Sequence, residues 1–136
     1  MKSKDLKKIL LQHSEWLNSN HFIGKRANFR GKNLKGFDLT CKILRHADLS
    51  NANLSGVNFY YAELNNANLS GANLMGASFD DTDLRGADLT DIIFAGPEFH
   101  NVYSLANATI SPQLLPWISG DQDFSKWFPT LTIVED

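Results

Sequence analysis

The sequence predicts an all-β solenoid, a chain of short extended segments that turns a corner every five residues. Three observations predict it. From Phe29 to Phe99 a leucine or phenylalanine stands at every fifth position, fifteen times without a slip in register. Two residues earlier the side chain is usually small, as at Ala27, Ala47, Ala52, Ala62, Ala67, Ala72, Ala77 and Ala87. The residue between is usually Asn or Asp. A period of five fits neither the 3.6 of a helix nor the 2 of a strand, so the repeat takes priority over local propensity. The large apolar residue and the small one before it point inward, and the other three point out.

The elements follow in order along a single domain, 1–136. Residues 3–19 read as a helix that Ser3 can cap, with Leu6, Ile9, Leu10, His13, Trp16 and Leu17 at helical spacing. Its apolar stripe suits a cap over the open first coil better than a basic amphipathic helix on a membrane or nucleic acid. His21 to Arg26 connect it to the repeats, 27–101. The first repeats put Lys32, Phe37 and Lys42 where Ala is usual, so a loose first coil with its lysine heads turned outward is expected. The repeat breaks at Ser104, and Ala108-Thr109-Ile110 restores a partial turn shifted by one residue. Residues 102–136 form a closing segment. In it, Gln113–Ile118 and Asp123–Phe128 read as helical turns and Thr130–Val134 as a strand. Trp117, Phe124, Trp127 and Phe128 give this segment more aromatic surface than water tolerates.

Ala47-Asp-Leu-Ser-Asn51, Ala52-Asn-Leu-Ser-Gly56 and Thr82-Asp-Leu-Arg-Gly86 resemble the repeats of pentapeptide-repeat proteins over residues 27–101. Trp16-Leu17 ahead of Gly24-Lys-Arg-Ala-Asn28 is similar to leaders of that family. The resemblance implies a right-handed, four-sided β-helix of about four coils, with an N-terminal helical cap and a short C-terminal capping segment. Residues twenty apart then stack. Phe59, Phe79 and Phe99 should form a column below Leu39, and Gly36, Gly56, Gly76 and Gly96 should mark one corner.

Composition narrows the function. The single cysteine, Cys41, excludes an internal disulfide framework. Ile9-Leu10-Leu11 is too short a run for a signal peptide, so a cytoplasmic protein is expected. Net charge is −2, but residues 1–46 carry eleven Lys/Arg against three Asp/Glu, and residues 47–136 carry two against twelve. The molecule therefore has a basic end and an acidic end. No catalytic or cofactor-binding constellation is visible, and His13, His21, His46 and His100 fall in unrelated elements with no metal-ligand spacing.

Function then rests on surface, and the stacking register singles out one side. It aligns Thr40, Tyr60, Asp80 and His100 in one column and Cys41, Tyr61, Asp81 and Asn101 in the next, with Asp38, Asn58, Ser78 and Glu98 alongside. Tyr60, Tyr61, Asp80, Asp81, Glu98 and His100 are the expected partner-binding residues. The leading reading is a non-catalytic protein-interaction scaffold. The resemblance implies an alternative, a DNA mimic that binds a type II topoisomerase such as DNA gyrase, for which the acidic half would serve. Within the repeats, however, six basic residues offset nine acidic ones. Nucleic-acid or membrane-surface binding through the basic half ranks below these, and a dimer through the C-terminal segment is a further expectation.

Overall fold

The computed structural model of the chain describes residues 1–118 and 130–135. Helix α1 spans Ser3–Asn18. Among the described residues three two-residue strands follow, β1 (Asp88–Leu89), β2 (Thr109–Ile110) and β3 (Thr132–Ile133), in one parallel sheet ordered β1-β2-β3. Between them lie 3-10 turns at Pro97–Phe99 and Pro112–Leu114 and a short helix α2, Leu115–Ile118. The expected turn at Asp123–Phe128, with Phe124, Trp127 and Phe128, lies outside the described residues.

Named strands are few because each side of the solenoid is a single repeat long. Extended backbone therefore appears as isolated parallel bridges between residues twenty apart. Four ladders run along the axis: Asn28–Asp48–Asn68–Asp88, Asn33–Asn53–Asn73–Ile93, Asp38–Asn58–Ser78 and Ile43–Glu63–Asp83. Each bridge residue is flanked by hydrogen bonds to the next rung, as where Leu34 N–H donates to Asn53 O (2.9 Å) and Asn53 N–H to Lys32 O (2.9 Å). The bridge residue is the Asn or Asp of the repeat, and its side chain explains the preference. Oδ1 accepts the N–H two residues on, at 3.0 Å for Asn28, Asp38, Asp48, Asn58, Asn68 and Asp88 alike. That bond closes each corner locally.

Inside, the repeat leucines and phenylalanines from Phe29 to Leu89 are fully buried. Phe59, Phe79 and Phe99 stack along the axis with centroids 5.0 and 5.3 Å apart and rings within 12° of parallel. Thr82 replaces the usual Ala, and its buried hydroxyl donates to Phe59 O at 2.7 Å. The first rung is regular rather than loose: Lys32 and Lys42 are exposed, yet the bridges and rung-to-rung bonds are complete there.

The register shifts by one residue near Asn101. Pro97 supplies no N–H, and the 3-10 turn Pro97–Phe99 takes the place of an extended side. Beyond it, Asp83 pairs with Ser104 and Asp88 with Thr109, twenty-one apart, and Leu105, Ala108 and Ile110 enter the core. The partial turn expected at 108–110 is this segment. The strand expected at 130–134 is β3, which extends the ladder beyond β2.

Helix α1 lies against the first rung. Leu6 and His13 are buried, the Met1 ammonium donates to Asn33 O (3.1 Å), and Lys25 N–H donates to Gln12 O (3.0 Å). The N-cap is Lys2 rather than Ser3, and it makes no side-chain cap bond.

Candidate protein-interaction surface

The corner of every repeat needs a residue with positive φ. Gly supplies it at Gly36, Gly56 and Gly76, and Asn or Asp at Asn51, Asn66 and Asp91. Three corners depart from this chemistry, His46 (φ 64°) in the column of Asn66 and two more in a single other column. Cys41 (φ 57°) and Tyr61 (φ 54°) occupy the left-handed region beside Asp81 (φ 54°). A residue with a Cβ pays about 1–2 kcal/mol there, least for Asn and Asp. Tyr61 is 54% exposed, so burial does not offset the strain.

Tyr61 meets Tyr60 edge to face, with centroids 4.4 Å apart and planes at 69°. Backbone bonds fix the column: Cys41 N–H donates to Tyr60 O (2.9 Å), Tyr61 N–H to Asp80 O (3.2 Å) and Asp81 N–H to Asn101 O (2.8 Å). Tyr60 is held above its ordinary pKa, first by its hydrogen bond with Tyr61 and then by that ring's charge, with smaller contributions from burial and from Asp81 and Asp80. Among the described residues no basic side chain forms an ion pair with Asp80 or Asp81. Beside them opens a depression of about 350 Å³ lined by Gly76, Ala77, Ser78, Asp80, Ala95 and Glu98.

The structure keeps Tyr60, Tyr61, Asp80 and Asp81 together and removes two other expected residues from the face. Glu98 is buried. Its carboxylate accepts the N–H groups of Gly76 (2.9 Å), Ala95 (3.1 Å) and Gly96 (2.6 Å). Burial raises its pKa, but these donors, with Gly76 first, outweigh burial and hold it below the usual range. His100 is exposed but displaced: the register shift puts Asn101, not His100, next to Asp80 in the ladder. Cys41 is exposed as expected.

On the neighbouring side, Arg45 pairs with Glu63 across rungs at 3.3 Å. Arg85 pairs with Asp83 of its own repeat, Nε donating to both carboxylate oxygens at 2.9 and 3.0 Å. These exposed guanidiniums are already matched.

Three histidines are not in unrelated surroundings. His13 and His21 stack on Trp16 at 5.7 and 3.8 Å, and His46 meets it edge-on at 6.3 Å. The positive φ of Asn20 and His21 turns the chain back over the helix, a reversal that nothing in their spacing announces. The cluster is structural. His13 Nδ1 accepts Ala27 N–H at 3.0 Å, which places the neutral ring's proton on Nε2, buried without a well-formed partner. Among the described residues no group of three or more His, Cys, Asp or Glu is placed to hold a metal.

The pentapeptide-repeats family model matches eight copies across residues 25–56, 44–74 and 52–91. Among solved structures, the chain is similar to a pentapeptide repeat protein of the Arabidopsis thaliana thylakoid lumen (32% identity, 60% of this chain and 55% of that one, TM-score 0.48). It is also similar to HetL, a pentapeptide repeat protein involved in heterocyst differentiation regulation in the cyanobacterium Nostoc (29% identity, 61% and 38%, TM-score 0.55). In both cases the match spans less than two thirds of the other protein's length. No curated protein matches the sequence. The repeat, the ladders of twenty-residue spacing, the family-model match and the likeness to HetL agree: the chain belongs to the pentapeptide-repeat family, and its fold is a right-handed β-helical solenoid.

Proposed function

We propose that this protein is a non-catalytic scaffold that binds a protein partner through the face formed by Tyr60, Tyr61, Asp80 and Asp81. The strained, exposed Tyr61 carries the reading. The corner favours Gly, Asn or Asp, and a tyrosine there adds nothing to the core; a contact made outside the solenoid accounts for it. Two aromatic rings beside two carboxylates that form no ion pair among the described residues suit a basic partner segment, which gains charge pairing and cation–π contact together. In the same reading α1 caps a solenoid of about four coils, and the described residues 102–118 and 130–135 close its other end.

The test is capture of partners from cell lysate by tagged wild type and by a Tyr61→Gly, Asp81→Gly variant. Both substitutions suit a positive φ, so the variant should keep its circular dichroism spectrum. A protein recovered by wild type and lost by the variant supports the face. A type II topoisomerase in that role would make the same carboxylates a mimic of DNA phosphates. Partners kept by the variant, or none at all, overturn the proposal.

A second contact is favoured by β3. Ile133 and Val134 are exposed there, and β3 pairs on one side only among the described residues. A strand edge of this kind recruits another, and sedimentation equilibrium of wild type against Ile133→Lys tests dimer formation through it.

A further inference from the structure

The end of the molecule opposite β3 carries a different surface. The apolar stripe of α1 is not available to a ligand, because Leu6 and His13 are buried on the first rung and Ile9 and Leu10 pack beside them. What remains outside is the opposite face of the helix, where Lys4, Lys7 and Leu11 recur at three- and four-residue spacing. Lys8 and Glu15 flank them. The loop after the helix folds back along it. Ser19 Oγ accepts Ile23 N–H at 2.8 Å, and Gly24 lies so close that a Cβ would come 2.2 Å from Gln12 O. This anchoring leaves two consecutive apolar side chains at the tip, Phe22 at 90% and Ile23 at 64% exposure. Lys25 and Arg26 follow immediately, both exposed.

We infer that this end docks on an anionic phospholipid membrane surface, with Phe22 and Ile23 entering the interface and the surrounding lysines and Arg26 meeting the headgroups. With both side chains this exposed, the tip suits a deformable apolar phase and supplies no apolar groove for a peptide. Phosphates alone would engage the cations and leave the apolar pair in water, which argues for a bilayer over nucleic acid. The charge is of the right sign, since residues 1–46 hold eleven Lys/Arg against three Asp/Glu. Docking is peripheral: among the described residues no helix is long and apolar enough to span a bilayer. This surface is separate from the Tyr60–Asp81 face, so the two contacts stand or fall independently.

The test is co-sedimentation of the purified chain with vesicles of phosphatidylcholine alone and of phosphatidylcholine with about one third phosphatidylserine. Wild type should bind the serine-containing vesicles and not the neutral ones, with binding falling as salt rises. Phe22→Ser with Ile23→Ser should weaken binding by about tenfold or more. Lys4→Glu with Lys7→Glu, on the solvent face of the helix, should abolish it while leaving the circular dichroism unchanged. Failure of wild type to bind either vesicle overturns the inference. So does binding that survives loss of Phe22 and Ile23, since charge alone would then suffice.

Discussion

His13 does structural work that depends on its protonation. Its Nδ1 accepts Ala27 N–H and ties α1 to the first repeat. Protonation at Nδ1 would remove that acceptor. Burial lowers the His13 pKa below its ordinary 6.5, and the charges of His46, Arg26 and Arg45 lower it further, partly offset by the Arg45 backbone carbonyl. A depressed histidine pKa favours the neutral ring when folded. The stability it contributes is complete above pH 6.5 and is lost as pH falls through the folded value. Denaturant midpoints measured from pH 8 to 5 should therefore fall for wild type and flatten for His13→Gln. Gly96 is as constrained. At φ 127°, a Cβ there would lie 2.3 Å from Trp117 Cε3, so Gly96→Ala should cost at least about 2 kcal/mol in urea unfolding. The sequence placed Gly96 at a corner but could not show its neighbour. Trp117 reaches it through the 3-10 turn and α2, which carry no five-residue period. The histidine cluster was hidden for the same reason.

The stacked phenylalanines are the element on which the acidic half depends. Phe79 lies between Phe59 and Phe99 with centroid separations of 5.0 and 5.3 Å. Truncating it opens a void with no mobile neighbour to fill it, so Phe79→Ala should cost about 3–5 kcal/mol. Phe94 is only half-buried and touches Phe99 edge-on at 5.9 Å. Phe94→Ala should cost less than half as much, and paired urea titrations measure both. This contrast was partly legible. The period identified both positions, and Ser104 announced the break. The period could not show that the side carrying Phe94 is already distorted, because the cause is the turn at Pro97 and the Glu98 carboxylate, which binds the N–H groups of Gly76, Ala95 and Gly96. A glutamate in an outward-facing register reads as exposed until a turn folds it in.

At the scale of the whole molecule, a solenoid holds itself together rung by rung. Amides such as those of Leu49, Leu54, Leu64 and Leu69 donate to a following rung while their own rung accepts from the one before. Native-state hydrogen exchange should be slowest there and faster for Thr132 and Val134, whose strand has one described neighbour. Because the backbone ladder and the buried leucines carry the fold, the outward residues are free to serve contacts. Sequence periodicity revealed which residues face out as far as the turn at Pro97. Which of them are strained became visible only with the backbone, since φ at Tyr61 follows from the corner and not from tyrosine.

Urea unfolding of Tyr61→Gly beside wild type measures that freedom. Glycine relieves about 1–2 kcal/mol of left-handed strain and adds about 0.5–1 kcal/mol of unfolded-state entropy. The variant should therefore unfold at the same or a higher urea concentration, with stability raised by about 0.5–1 kcal/mol. A loss of more than about 1 kcal/mol would show that Tyr61 is held for folding, and the partner-binding role of this face would fail with it.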